Sequence, residues 1–285
     1  MPPEKTKRAC VIGWPVKHSR SPVIHGYWLK KYGLKGSYEA VAVPPDGLEK
    51  FLRGLPRDYA GCNITLPHKE EALGLMDEVD PLARKAGAVN TVAVRPGGKL
   101  YGFNTDIHGF TRNLESAGKA WQKKKPALVV GAGGASRAVV AALVGAGCAT
   151  IYITNRTPER LRLLGEELSA AFGVSLHLVG WHDREDALAT VDLVVNTTSQ
   201  GMEGAPALEL DLRKLKDGAL VADLIYTPLE TPLLREAVRR HHPTVGGLGM
   251  LLHQAAPGFE AWFGVKPEVD EELRKVVEDD LAKAK

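Results

Sequence analysis

Short runs of β-branched and apolar residues alternate along this chain with longer stretches whose apolar positions recur at helical spacing, the pattern in which βαβ units are written. In the first part, strands are predicted over 9–13, 38–43, 61–65, 89–94 and 99–102. The last two flank Pro96-Gly97-Gly98, a hairpin signal. Helices are predicted over 22–32, after Asp46, which is placed to cap one, and over 69–77.

The grammar changes near Asp106. A strand at 127–130 runs into a glycine turn, then into a helix with small residues at Ser136, Ala138, Ala141 and Ala142, then into a strand at 151–153. That is a nucleotide-binding βαβ unit, and further strands at 176–179, 192–195 and 219–222 extend it into a parallel sheet. From Glu268 onward, Val269, Leu273, Val276, Val277 and Leu281 fall on one helical face, so the tail is expected to be an amphipathic helix packed on another element. The fold class is therefore α/β: a first domain over 1–106, a Rossmann-like domain over 107–249, and a helical segment over 250–285.

Composition narrows the function classes. The chain has 285 residues, 44% hydrophobic and 25% charged, which suits a globular protein of two ordinary domains. A formal net charge of +3 is too small to point to nucleic acid, and Lys123-Lys124-Lys125 reads as a solvated linker before Pro126. Three widely spaced cysteines, Cys10, Cys62 and Cys148, fit a reducing cytoplasm better than a disulfide framework. The stretch from Met1 to Arg8 is charged and the apolar run after it is too brief for a signal peptide, while no apolar run approaches the ~20 residues of a membrane helix. The histidines lack zinc-site spacing, so no metal is expected. A soluble cytoplasmic protein acting on small molecules is the expectation, with a homodimer left open.

Gly131-Ala132-Gly133-Gly134-Ala135-Ser136 directly follows a strand and opens a helix. Glycines there allow the backbone to approach a pyrophosphate, and the helix N-terminus supplies free N–H groups and partial positive charge. An NAD site usually places an acid at the end of the next strand to hold the ribose 2′-hydroxyl. This chain has Asn155-Arg156-Thr157-Pro158-Glu159-Arg160 instead. Arg156 and Arg160, one helical turn apart, suit a 2′-phosphate, which makes NADP the expected cofactor.

Six further blocks carry a resemblance. His18-Ser19-Arg20-Ser21-Pro22, Asn63-Ile64-Thr65-Leu66-Pro67-His68-Lys69, Gly87-Ala88-Val89-Asn90-Thr91, Gly102-Phe103-Asn104-Thr105-Asp106, Asn196-Thr197-Thr198-Ser199-Gln200-Gly201-Met202 and Gly249-Met250-Leu251-Leu252-His253-Gln254 occur in this order. Spread over almost the whole chain, they resemble the shikimate dehydrogenase family. The resemblance implies a reversible, NADPH-dependent reduction of 3-dehydroshikimate to shikimate, a step of aromatic amino-acid (chorismate) biosynthesis. It also implies that the first domain holds the substrate and that the tail returns to it, bringing Gln254 to the site.

The roles implied are specific. Lys69 and Asp106 would be the catalytic pair. A lysine, with a reference pKa of about 10.4, is normally protonated and suits an alkoxide-stabilising donor, while a carboxylate can hold the ammonium and bond the substrate hydroxyl. Ser19 and Ser21 would bond the substrate carboxylate, on the same side of an extended segment with Arg20 pointing away, although N-capping before Pro22 is the plainer role of such serines. Asn63, Thr65, Asn90, Tyr226 and Gln254 would complete the substrate site. Gly131, Ala132, Gly133, Gly134, Ala135, Asn155, Arg156, Thr157 and Arg160 would bind the phosphates of NADP, and Leu224, Gly247 and Met250 would line the nicotinamide pocket. Two other readings stand beside this one: a quinate/shikimate dehydrogenase of broader specificity, and a catalytically silent NADP-binding regulator.

Overall fold

Two six-stranded sheets organise the chain, one mixed and one wholly parallel. The computed structural model describes residues 6–283; Met1 to Lys5 of the charged N-terminal stretch lie outside the described residues. Contacts divide the chain into two units, the first made of Met1–Thr105 with Gln254–Lys285 and the second of Asp106–His253.

The first unit opens with β1 (Lys7–Gly13), α1 (Ser21–Lys31), β2 (Gly36–Ala42), α2 (Leu48–Asp58) and β3 (Gly61–Ile64). β4 (Glu78–Val79), α3 (Pro81–Ala86), β5 (Thr91–Val94) and β6 (Leu100–Phe103) follow. The strand order is β2-β1-β3-β5-β6-β4. β1 runs parallel to β2 and β3, and β5 runs antiparallel to both β3 and β6 across the turn Pro96–Gly98. One face of the sheet packs Cys10, Ile12, Cys62 and Val92 against Leu48, Leu52 and Leu55 of α2.

α3 is stopped sharply at both ends. The Asp80 carboxylate accepts from the backbone N–H groups of Leu82 and Ala83, and Gly87 takes a left-handed conformation at φ 71°. The chain is thereby delivered into the Ala88-Val89-Asn90-Thr91 segment with little freedom.

Two local expectations give way. Asp46 does not cap α2; it lies in a 3-10 turn, Pro45–Gly47, and no side chain caps the helix at Gly47. Pro44 and Pro45 fix the chain in a tight turn that uses up the position where a cap would sit. The stretch 69–77 is not an α-helix either, since a single 3-10 segment, Glu71–Leu75, occupies it.

The second unit starts within α4 (Thr105–Glu115) and continues through β7 (Ala127–Val130), α5 (Gly134–Gly145), β8 (Ile151–Thr154), α6 (Pro158–Phe172) and β9 (Leu176–Val179). Then come α7 (Arg184–Ala187), β10 (Leu193–Asn196), β11 (Leu220–Asp223), α8 (Pro232–Arg239) and β12 (Thr244–Val245). The order β12-β11-β10-β7-β8-β9 places β7 and β10 on either side of the point where the winding reverses. Every residue of β7, β10 and β11 is buried, as expected of strands covered on both faces. In open sheets of this kind, ligands bind outside the carboxyl ends of the strands at such a reversal.

α9 (Leu248–Phe263) carries the chain from the second unit into the first, the division falling between His253 and Gln254. α10 (Glu271–Lys283) lies on α1 with Leu273, Val277 and Leu281 buried. Polar ties reinforce this return: Trp28 Nε1 donates to Glu268 O at 2.9 Å, Tyr27 to Glu272 at 2.9 Å, and Lys31 pairs with Asp270.

Candidate functional site

In the first unit, side chains from five separate segments of sequence join into a run of hydrogen bonds. The Tyr38 hydroxyl donates to Asn63 Oδ1 at 2.5 Å, and Asn63 Nδ2 donates to Thr91 Oγ1 at 3.0 Å. Thr91 in turn donates to Asn90 Oδ1 at 2.9 Å, and Asn90 Nδ2 to Thr105 Oγ1 at 3.0 Å. Thr105 then reaches Gln254 Oε1 at 3.5 Å. Sheet register makes this feasible: Asn63 on β3 lies directly opposite Thr91 on β5. Such groups would be costly to bury unpaired, so the network fixes the orientation of each amide.

Of the expected substrate residues, this run joins Asn63, Asn90 and Gln254. Thr65 sits one residue past β3, its N–H on Ile12 O at 2.9 Å. Ser21 is buried as the first residue of α1, and Ser19 Oγ accepts from Ser21 N at 3.3 Å. The segment is not extended, because Arg20 between them already has helical backbone angles and Pro22 favours a helix start. Arg20 does point elsewhere: its Nε approaches Asp280 Oδ2 of α10 at 3.2 Å. Tyr226 belongs to the second unit, as does Asp106.

The two candidate catalytic residues are anchored through neighbouring backbone. Val89 N donates to Lys69 O at 2.8 Å, and Thr105 N donates to Asn90 Oδ1 at 2.7 Å. The consecutive residues Val89 and Asn90 thus hold both Lys69 and the residue immediately before Asp106. Lys69 is half-buried, and Asp106 is buried in the first turn of α4, where free backbone amides favour negative charge. Sequence reasoning did not single out Tyr38, Thr91 or Thr105 as members of the site. The available signal was chemical, since hydroxyl-bearing residues stand there in or beside strand segments otherwise rich in apolar residues.

In the second unit, the turn after β7 has the form a pyrophosphate needs. Gly131 has φ 122°, and a Cβ there would come within 2.4 Å of Thr197 Oγ1, so only glycine fits. At Gly133 an added Cβ would meet nothing within 4 Å, so the backbone is open to approach. Gly134 and Ala135 form the first turn of α5. Ser136, at the third fingerprint position, accepts from Gly133 N at 3.2 Å and bonds Thr197 Oγ1 at 2.7 Å, locking the turn to the end of β10.

After β8, Asn155 Nδ2 donates to Thr157 O at 3.0 Å and shapes the turn into α6. Arg156, Thr157 and Arg160 are exposed, and among the described residues no hydrogen bond or ion pair engages either arginine. The nearby acids are occupied, because Arg162 pairs with Glu159 at 2.8 Å and with Glu166 at 2.7 Å. The two guanidinium groups are left to solvent or to an anion.

Gly247 lies against the backbone of Leu224 and Ile225, and Met250 follows in the first turn of α9. Gly247 N donates to Ile225 O at 3.1 Å, and a Cβ on Gly247 would strike Leu224 O at 2.1 Å. Met250 is buried one turn into α9. Beneath them Asp223 accepts from Asn196 Nδ2 at 3.0 Å, Ile225 N at 3.1 Å and the Thr231 hydroxyl at 2.8 Å. Burial raises the Asp223 carboxyl above its ordinary range, against the pull of those donors. Among the described residues no group of His, Cys, Asp and Glu is arranged to hold a metal, and no helix is long and apolar enough to cross a membrane.

Comparison with known proteins bears on the same residues. The family description "Shikimate dehydrogenase substrate binding domain" matches residues 11–92, "Shikimate / quinate 5-dehydrogenase" matches 115–204, and "Shikimate 5'-dehydrogenase C-terminal domain" matches 247–276. A shikimate dehydrogenase (NADP(+)) of Rhodospirillum rubrum is 51% identical over 96% of this chain and 97% of its own length. The chain belongs to the shikimate dehydrogenase family. The family's fold is shared at the level of coordinates. A shikimate 5-dehydrogenase from Thermus thermophilus, in complex with NADP(H) and shikimate, matches with a TM-score of 0.85 and 40% identity, over 98% of this chain and all of its own. A quinate dehydrogenase from Corynebacterium glutamicum in complex with NAD matches with a TM-score of 0.87 and 31% identity, over 96% of this chain and 99% of its own. Asn63, Asn90 and Thr91 of the hydrogen-bond run lie within the matched substrate-binding region of the family.

Proposed function

We propose that this chain catalyses the reversible reduction of 3-dehydroshikimate to shikimate with NADPH as the cytoplasmic enzyme of that step. The observation that carries the reading is the shared anchoring of Lys69 and of the residue before Asp106 on Val89 and Asn90, within a run of oriented amides and hydroxyls. A polyhydroxylated ring acid needs such donors and acceptors. Free cysteine thiols, two of them in register on β1 and β3, support a reducing compartment.

The residues fit NADP. The open backbone at Gly133 and the first turn of α5 suit a pyrophosphate, and the unpaired Arg156 and Arg160 suit a 2′-phosphate. When bound, the nicotinamide supplies the hydride. Lys69 supplies the proton to the alkoxide oxygen that forms at the carbonyl, and in the reverse direction receives it. Asp106 orients the ammonium and bonds the substrate hydroxyl. Ser19 and Ser21 hold the carboxylate, while Asn63, Thr65, Asn90, Tyr226 and Gln254 bond the ring hydroxyls and orient the ring. Leu224, Gly247 and Met250 keep the nicotinamide side apolar.

The test is the rise in reduced-nicotinamide absorbance when the purified protein is mixed with shikimate and NADP⁺, with quinate and NAD⁺ as controls. Turnover of shikimate with NADP⁺ is the expected result. Equal turnover of quinate would favour the broader dehydrogenase, and tight NADPH binding without turnover would favour the regulator.

A further inference from the structure

Lys69 follows His68, a buried histidine that the reaction as described does not use. His68 is 1% exposed, and its Nε2 lies 2.7 Å from Val43 O, just past the end of β2. A carbonyl can only accept, so Nε2 carries the hydrogen and the tautomer is set by this bond. Val43 is itself tied down, its N–H donating to Gly13 O at 3.1 Å at the end of β1. The rest of the turn hangs on backbone: His68 N donates to Thr65 O at 3.1 Å, and Ala72 N to His68 O at 2.9 Å.

The local structure makes this side-chain bond matter. Residues 69–70 lie in no regular helix, and the 3-10 segment that follows, Glu71–Leu75, gives poorer hydrogen-bond geometry than an α-helix. Ties from this turn to neighbouring segments therefore carry much of its order. One end is pinned where Val89 N meets Lys69 O, and the His68 imidazole pins the residue before it to the segment that leaves β2.

We propose that His68 is a positioning residue for the proton transfer: its Nε2–H bond to Val43 O fixes the turn that presents Lys69. The inference rests on the reading of Lys69 as the proton donor. Displacement of a reacting group by about 1 Å can cost on the order of a hundredfold in rate, whereas cofactor binding in the other unit has no reason to change.

The experiment compares His68→Phe and His68→Gln in shikimate oxidation, with Lys69→Met alongside. Phenylalanine fills the buried volume without a donor, and glutamine carries an amide nitrogen close to where Nε2 lies. The expected result is a kcat lowered about ten- to a hundredfold in His68→Phe, with KM for NADP⁺ within about twofold of the parent, and recovery of most of that kcat in His68→Gln. If the phenylalanine variant yields no folded protein, His68→Asn replaces it, since asparagine is too short to reach Val43 O. Parental kcat in the donor-less variant, or equal losses in the glutamine and donor-less variants, would overturn the proposal. Full activity of Lys69→Met would instead overturn the reading of Lys69 on which it stands.

Discussion

Asn90 holds Thr105 twice: Oδ1 accepts the Thr105 N–H at 2.7 Å, and Nδ2 donates to the Thr105 hydroxyl at 3.0 Å. An amide used in this way sets both the path of the backbone into α4 and the direction of the hydroxyl. Asn90→Ala would strip partners from Thr105 and from the Thr91 hydroxyl in a site closed to water. The expected cost is ~2 kcal/mol of stability, read as a lowered urea midpoint, with kcat for shikimate falling more steeply than the stability change alone would produce. A variant with parental kcat would show that Asn90 only packs.

Lys69→Met should fold like the parent, because the side chain it replaces is half-buried at the start of a turn rather than in the core. Loss of a general acid typically costs on the order of 10² to 10⁴ in rate. The expected pattern is that loss in kcat at unchanged KM for NADP⁺, measured by steady-state kinetics beside a thermal melt.

In the proposed site, Arg156 and Arg160 face the 2′-phosphate of the cofactor. Arg156→Asp should raise KM for NADPH by roughly ten- to a hundredfold, the worth of one charge-assisted hydrogen bond and its reversal, while leaving KM for NADH nearly where it was. An unchanged ratio of the two constants would defeat the assignment of the 2′-phosphate to this turn.

Gly131→Ala addresses the proposed pyrophosphate turn. The left-handed backbone at φ 122° and the 2.4 Å approach to Thr197 Oγ1 leave no room for a methyl group. Weakened NADPH binding by fluorescence titration is expected, with binding of shikimate to the first unit retained.

His25 gives the protein an acid-sensitive point. The ring is fully buried, stacked on Tyr38 at 3.9 Å between ring centroids, and among the described residues neither ring nitrogen meets a partner in hydrogen-bond geometry. Burial therefore lowers its pKa to about 3. The unfolded chain takes up a proton at this residue below about pH 6.5, the folded chain only near pH 3, so stability is lost as pH falls through that window. At pH 4 the loss from this residue alone is about 3 kcal/mol. His25→Leu should flatten the fall in melting temperature between pH 7 and pH 4, and an equally steep fall would contradict the assignment.

Strands and the dinucleotide turn were legible because their signals are local. The runs at 127–130 and 176–179 coincide with β7 and β9, both rich in apolar residues, and the glycines of the turn announce a backbone that side chains would obstruct. What sequence could not show was pairing at a distance. Thr91 and Thr105 read as ordinary polar residues until β3, β5 and the start of α4 bring them to Asn63 and Asn90. Asp46 and the stretch 69–77 failed for a different reason: cap and helix propensities were outvoted by the paired prolines before Asp46 and by a turn tethered at His68 and Lys69. Of the roles named through the resemblance, those of Lys69, Asn90, Gly131 and Arg156 are addressed by the variants above.

The seating of α10 on α1 governs the order in which a ribosome can finish this molecule. Residues 106–253 are contiguous and emerge together, so the nucleotide half has all its strands before the segment from Gln254 is added. Its companion must wait: Trp28 and its neighbours on α1 meet their cover, Phe259 and the stretch from Glu268 to Leu281, only after the whole second unit has been made. A nascent chain stalled short of residue 254 would expose an aromatic face to chaperones, and a stop codon there would spare the dinucleotide half while leaving the other half unclosed.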